Sequence, residues 1–262
     1  MSDLEMLDEL FRIPFFTGLC LAVSSAVMGA LLRLRDEWLA ALGLPHLAAA
    51  GGVAGMPLGL PPTLGATLVT AAATFLKAVL GRTDNGHFAL MLLLGWGGAL
   101  FLAANIHQGE VMSEGLLQGQ LYFSTPAHFY GALGLLIALG VSLPWLQRQL
   151  LIARFFPDHH SANQRPAWPH ELLFAALLVM TVVLATLAVG ALPAFALFFV
   201  PPWVAFALSR GWKQGMALSI LIGVTVYLLA FFAALLLDQP FGPSLTLLLA
   251  LSAALRLIRL RS

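Results

Sequence analysis

Apolar runs long enough to cross a bilayer follow one another along this chain with only short polar breaks, and that succession limits the fold more than any other feature. At 1.5 Å rise per residue, roughly 20 helical residues span the hydrocarbon. Read on that scale, the sequence gives about nine helical segments. They run from Ile13 to Leu34, Leu39 to Pro57, Thr63 to Leu80, Phe88 to Ala104, Phe129 to Leu146, Leu172 to Val189, Leu192 to Leu208, Met216 to Leu237, and Leu245 to Leu260. The second and seventh are expected to be short or broken. With 60% hydrophobic and only 10% charged residues in 262, too little polar surface exists to coat a soluble fold. The fold class is all-α: a polytopic membrane bundle of about eight or nine transmembrane helices, forming one domain over 1–262.

The few charges set the topology. Thirteen Lys and Arg residues fall at Arg33 and Arg35, Lys77 and Arg82, Arg148, Arg154 and Arg165, Arg210 and Lys213, and Arg256, Arg259 and Arg261, with Arg12 left over. The alternate connections, around Gly59, from Asn105 to His128, around Gly190 and from Asp238 to Pro243, carry none. Basic residues concentrate on the cytoplasmic side of membrane proteins, so this alternation places the N-terminus outside and the C-terminus inside. Nine crossings fit best, because one more or one fewer would move several basic loops to the outer face. Eight follow if one run is re-entrant, which membranes tolerate where the irregular backbone is buried or lines a cavity. Residues 1–12 become an outer N-terminal segment. With four acids and one arginine they lack the basic start of a secretory signal, so no cleavable leader is expected.

Several function classes lose support. The single cysteine, Cys20, lies inside the first apolar run and excludes a disulfide framework or a CxxC redox or metal site. A net charge of +1 with no basic stripe argues against nucleic acid as a partner. No Walker A motif, G-x-S-x-G elbow or H-E-x-x-H motif occurs, so no nucleotide or cofactor site is expected and any ATP-driven work must come from another subunit.

The remaining polar features are few. His46 sits within the second apolar run, where an imidazole is costly unless hydrogen-bonded or facing a polar cavity. Its plainer reading is a histidine satisfied by a backbone carbonyl beside the glycine-rich stretch Ala48 to Gly55. In the outer segment HQGEVMSE, His107, Glu110 and Glu114 lie close together. At helical spacing the two carboxylates share a face that can receive a cation, or simply rest at the interface. The connection from Arg148 to His170, about 20 residues, contains FPDHHSANQRPAWPH and suits a short helix held by turns and a cytoplasmic docking partner. His159 and His160 as a bare pair have poor spacing for a metal. Asp238 stands in an outer turn, either capping the next helix with the neighbours of Ser244 or gating an exit. Small-residue stretches such as Ala66 to Phe75 predict close helix packing.

Taken in order, several motifs resemble one family. They are VGAL at Val189 to Leu192, Pro201, Arg210 with Gln214, DQPFGPS at Asp238 to Ser244, GQLYFSTP at Gly119 to Pro126, the segment Asp158 to Gln164, and LPHLAAAG at Leu44 to Gly51. The ordered set is similar to the ABC transporter permeases for zinc, manganese and iron uptake. The resemblance covers most of the chain and implies a homodimer in a bacterial inner (cytoplasmic) membrane. It also implies a cytoplasmic ABC ATPase that uses the ATP, and a periplasmic or lipid-anchored metal-binding protein. It puts His46 on the transport pathway, and beside that reading the sequence itself offers His107, Glu110 and Glu114 for the outer mouth and Asp238 for an outer gate. Contact with the ATPase falls on Pro157, Asp158, His159, His160, Asn163 and Gln164. The chain departs from the family pattern at Leu42 and Gln120, where the family has acids, and at Gln164, where it has glycine. The expected cargo is a divalent metal, zinc first and manganese or iron otherwise. A metal chelate or other non-metal cargo, or a non-transporting sensor or assembly protein with the same fold, are the alternatives.

Overall fold

A computed structural model describes residues 3–80, 85–106, 109–156, 158–163 and 166–256. Among them the chain forms α1 (Asp3–Leu34), α2 (Ala40–Gly55), α3 (Pro62–Leu80), α4 (Asn85–Asn105), α5 (Gly109–Gln118), α6 (Pro126–Phe155), α7 (His159–Ala162), α8 (Trp168–Val189), α9 (Ala191–Leu208), α10 (Trp212–Leu236) and α11 (Phe241–Ser252). Two single-turn 3-10 helices, Met56–Leu58 and Leu121–Phe123, complete the list. Each of the nine apolar segments is a helix. Seven of these helices are long and apolar enough to cross a membrane, and Phe241–Arg256 forms a shorter apolar helix.

Several boundaries differ from expectation, the start of α1 the most, at Asp3 rather than Ile13. α6 does not stop at Leu146 but continues to Phe155, passing through Pro144. The long stems of Arg148 and Arg154 let their charged heads reach water while the helix carries on, and the Gln147 amide accepts from the Trp212 ring N–H at 3.2 Å. The non-helical part of the long connection is correspondingly shorter. The last helix starts earlier than Leu245, at Phe241, and turns 3-10 after Ser252. α9, expected to break, runs unbroken through buried Pro201 and Pro202.

The bundle is organised around α2. Thirteen of its sixteen residues are buried, and it packs against α4, α3, α9 and α8. Lipid tails are as apolar as leucine, so nothing expels these helices from lipid, and close packing must hold them. Small residues provide it. A Cβ on Gly95 of α4 would lie 2.5 Å from the His46 backbone, and one on Gly65 of α3 would lie 2.2 Å from the Gly51 carbonyl oxygen. By contrast, few residues of α4 and α6 are buried, and they present Leu93, Leu94, Phe101, Ile137 and Val141 outward.

Opposite ends of the bundle are built differently. At one end Gly119 and Gly190 both have positive φ, 94° and 100°. Gly190 alone separates α8 from α9, and a Cβ there would lie 2.5 Å from the Gln118 carbonyl carbon. A Cβ on Gly119 would overlap the Val189 carbonyl oxygen at 1.8 Å, and one on Gly242 the Gln118 oxygen at 1.9 Å. Three motifs read separately in the sequence, GQLYFSTP, VGAL and DQPFGPS, therefore meet at one backbone junction. The other end carries Arg33, Arg35, Lys77, Arg154 and the turn between α1 and α2.

Candidate functional site

The site is built on the strip that runs from Trp38 through Leu42 to His46 of α2. Trp38, just before the helix, is exposed, Leu42 is half-buried and His46 is 6% exposed, one turn apart in register. α4 packs against α2 on one side of this strip and α9 on another. Trp96 of α4 lies with its ring 6.2 Å from the His46 ring. From α9 come Phe195, Phe199 and Trp203, successive rungs at i, i+4 and i+8 with ring centroids 5.4 and 5.9 Å apart, and Trp38 meets Phe199 at 5.6 Å. At the basic end the strip opens into a cleft of about 450 Å³ lined by Trp38, Ala41, Phe199, Trp203, Arg33 and Arg154. Towards the glycine end it is roofed by α5, whose Leu116 packs with Ala49, Val53 and Ala191.

The Leu42 carbonyl sets the tautomer of the neutral His46 ring. Its Nδ1 lies 2.8 Å from the Leu42 carbonyl oxygen, one helical turn back. A carbonyl only accepts, so Nδ1 carries the proton and Nε2 keeps its lone pair, the arrangement of a metal-binding imidazole. The backbone carbonyl thus satisfies one nitrogen and leaves the other with ligand character. Leu42, where the family resemblance calls for an acid, adds no ligand. Among the described residues no group of three or more His, Cys, Asp or Glu side chains could together hold a metal ion.

The other sequence candidates lie elsewhere. Glu110 and Glu114 are both exposed on α5, whose opposite face, Ser113 and Leu116, is buried; Gln118 donates to Glu114 at 3.3 Å. The helix is therefore docked against the bundle rather than lying free at the interface. His107, Pro157 and Gln164 lie outside the described residues. Asp158 and Asn163 are exposed and His159 half-exposed around the one-turn helix α7, where Asn163 donates to the His159 carbonyl at 2.7 Å; His160 is in the same turn. Gln120 is exposed before the 3-10 turn Leu121–Phe123, with its amide against Gly115.

Asp238 does not cap α11, which begins after Pro240 without a side-chain cap, and Ser244 donates back to the Pro240 carbonyl. It ends α10 instead, with φ 50°, while Gln239 N–H bonds to the Ala234 carbonyl across it. That is the left-handed C-terminal turn in which Asp is tolerated.

Sequence reasoning missed an ionic cluster at the basic end, because it used those charges only to orient the helices. Glu37, in the α1–α2 turn, contacts Lys77 of α3 and Arg35, the latter at 3.2 Å. Arg35 also donates to Glu171 of α8 at 2.9 Å and lies over the buried Phe174 ring at 4.7 Å. Burial alone would lower the Arg35 pKa, but the charges of Glu37 and Glu171 more than offset it and hold it above its usual value. Asn85, opening α4, accepts from the Leu39 N–H at 3.3 Å. The turn leading into α2 is thereby fastened to α3, α4 and α8 together.

The sequence model described as the ABC 3 transport family matches residues 7–259. The chain is 23% identical over 271 residues to the chelated iron transport system membrane protein YfeD of Yersinia pestis, covering 97% of this chain and 88% of that protein. PsaBC from Streptococcus pneumoniae in complex with Fab has the same fold, with a TM-score of 0.79 at 19% identity over 95% of this chain and 90% of that one. A protein described as an ABC transporter of the metal-chelate type, in an inward-facing conformation, gives a TM-score of 0.72 at 14% identity over 99% and 90%.

Proposed function

The chain belongs to the ABC 3 transport family, and we propose that it is the membrane-spanning subunit of an importer that carries a divalent metal ion, zinc foremost and manganese or iron by related chemistry. In this reading two copies face each other across the α2 strip, in a bacterial cytoplasmic membrane, with N-termini outside and C-termini inside. A separate ATPase docks on the connection Pro157 to Gln164 and closes on ATP, and a binding protein delivers cargo at the glycine end. Alternating access follows from exchange between two packings of the bundle, biased by the nucleotide.

The observation that carries the reading is His46, a buried imidazole whose Nδ1 is committed to the Leu42 carbonyl and whose Nε2 is not. A second copy would add a second imidazole. Two nitrogens fall short of the roughly four ligands a resident zinc takes. That shortfall suits a passage, where an ion must leave as readily as it enters. Glu110 and Glu114, with His107, then serve at most as a receiving surface at the outer mouth, and Asp238 shapes the outer turn beside it.

The test is uptake of radioactive zinc and manganese by cells lacking their own importers and expressing this chain with an ATPase and binding protein encoded beside it. Uptake of one metal, reduced at least about tenfold by His46→Ala while the complex still assembles, is the expected result, that factor corresponding to about 1.4 kcal/mol. ATP hydrolysis without uptake of either ion, or of ferrous iron offered in the same way, would overturn the bare-metal cargo. Cargo in which the metal arrives already chelated is the second reading. It is favoured by Leu42 at the acid position and by the absence of a three-ligand group among the described residues.

A further inference from the structure

Both flanks of the connection between α6 and α8 grip the same five-residue turn. On the α6 side Arg154, two residues before the connection at 156–167, places Nη2 3.7 Å from Asp36 Oδ2. On the α8 side Glu171, in the first turn after it, accepts from Arg35 at 2.9 Å. Asp36 has φ 64° and closes α1 with a left-handed turn, Glu37 N–H bonding back to the Leu32 carbonyl. Three residues after Glu37 comes α2, which carries His46. The turn is thus a short link between the segment that flanks α7 and the helix that floors the site.

We infer that the turn Arg35–Glu37 is a lever: displacement of the 156–167 connection by the ATPase is handed to α2 through the Arg154–Asp36 and Glu171–Arg35 pairs, which shifts the His46 strip. The inference rests on the proposed docking of an ATPase at that connection. Its two grips differ in character. Glu171–Arg35 is largely shielded on the arginine side, with Arg35 stacked on Phe174, whereas Asp36 and Arg154 are well exposed at 72% and 49%. Exposed ion pairs are individually weak and exchange partners readily. One firm grip and one loose grip let the turn pivot about Arg35 rather than move as a block. Glu37, bonded to Lys77, supplies a fixed post on α3 against which the pivot works. These are positioning residues, acting on His46 through the backbone of the turn, although Asp36 and Arg154 also line the cleft into which the strip opens. Coupling of this kind needs an element with two arrangements that both sites bias, and the experiment below asks whether this short charged turn is one.

The experiment uses the full complex with its ATPase in lipid nanodiscs, without cargo. Cys20→Ser removes the native thiol, and Leu42→Cys places a reporter on the strip whose labelling rate is followed with and without ATP. We expect ATP to change that rate several-fold in the parent. Glu171→Gln combined with Arg154→Gln should reduce the ATP response to less than about a third, with assembly and nucleotide binding retained. The charge-reversed pair Asp36→Arg with Arg154→Asp should restore at least half of the part lost by Arg154→Gln alone, which a merely structural defect would not do. An ATP response that persists undiminished in the double variant overturns the lever, and so does a parent whose strip does not respond to ATP. Since no cargo is present, a strip that responds as described while none of zinc, manganese and ferrous iron is taken up in cells leaves the lever standing and removes the metal reading.

Discussion

The connections at the two ends of the bundle are held by opposite kinds of contact, even though the α1 and α9 helices also meet backbone to backbone at Gly29 and Phe198 beside the basic-end cleft. At the glycine end the backbones of the α5–α6 connection, the α8–α9 corner and the start of α11 touch one another directly, leaving no room for a single carbon at Gly119, Gly190 or Gly242. At the basic end the α1–α2 turn is held by side-chain charges on long flexible stems, Arg35, Lys77 and Arg154. Backbone contact has one geometry and fails when it is changed. Charged side chains can release one partner and take another without unfolding anything. The glycine end is therefore suited to be the fixed part of the molecule and the basic end the part that moves.

The comparison breaks most severely at Gly190. Gly190→Ala would combine a positive φ with a methyl group driven into Gln118 and Gly119. Strain and overpacking together should cost about 3–5 kcal/mol. The expected outcome is loss of folded protein in detergent, measured as a collapsed elution peak and a large fall in thermal midpoint. A protein that stayed folded and equally stable would show that this end has slack.

A smaller effect is expected at the charged end. Glu37→Gln leaves Lys77 and one side of Arg35 without their carboxylate in a position only 12% exposed. Breaking a buried pair on one side strands the other charge, here at about 2–3 kcal/mol given the nearby membrane surface. The variant should fold with a lower thermal midpoint. Adding Lys77→Met should recover part of the loss, since the stranded charge is then gone. No recovery would mean that Glu37 stabilises the turn through Arg35 alone.

How much of this was legible in the sequence follows from the same contrast. The nine helices were readable because each must be apolar over the stretch that crosses the bilayer, and their glycine motifs were readable because an absent side chain is visible in the sequence. That the three motifs meet at one point was not, since Gly119, Gly190 and Gly242 are brought together only by tertiary packing. His46 stood out as an imidazole in an apolar run, but which of its nitrogens is committed depends on the Leu42 carbonyl one turn away. The cluster of Arg35, Glu37, Lys77 and Glu171 was invisible because its partners are up to 136 residues apart, and each charge alone had a sufficient explanation in topology. α6 overran its expected end because hydropathy falls at Gln147 and Arg148 while helix propensity does not.

The surface acids proposed for the outer mouth should matter less still. Glu110→Gln with Glu114→Gln leaves the buried face of α5 intact. Uptake at low ionic strength should fall by no more than about threefold and by less at physiological salt, because exposed charges steer ions over a Debye length of about 8–10 Å and are then screened. A tenfold loss insensitive to salt would make this pair a binding site rather than a steering surface.

The smallest effect sharpens the comparison best, because each end contains the same local structure. Asp36 and Asp238 both stand in the left-handed turn that closes a helix, with φ 64° and 50°. Glycine removes the strain of that conformation at some cost in chain entropy, leaving a net gain of about 0.5 kcal/mol at either site. Asp36→Gly and Asp238→Gly should therefore raise the thermal midpoint slightly and about equally. Their consequences for movement should differ: only Asp36 carries a carboxylate facing Arg154, so only Asp36→Gly should weaken the ATP response of a thiol at position 42. Equal stabilities with unequal responses would separate the turn as a fold element from the turn as a lever. Equal responses would mean that the basic end is as fixed as the glycine end, and that motion must enter α2 by another route.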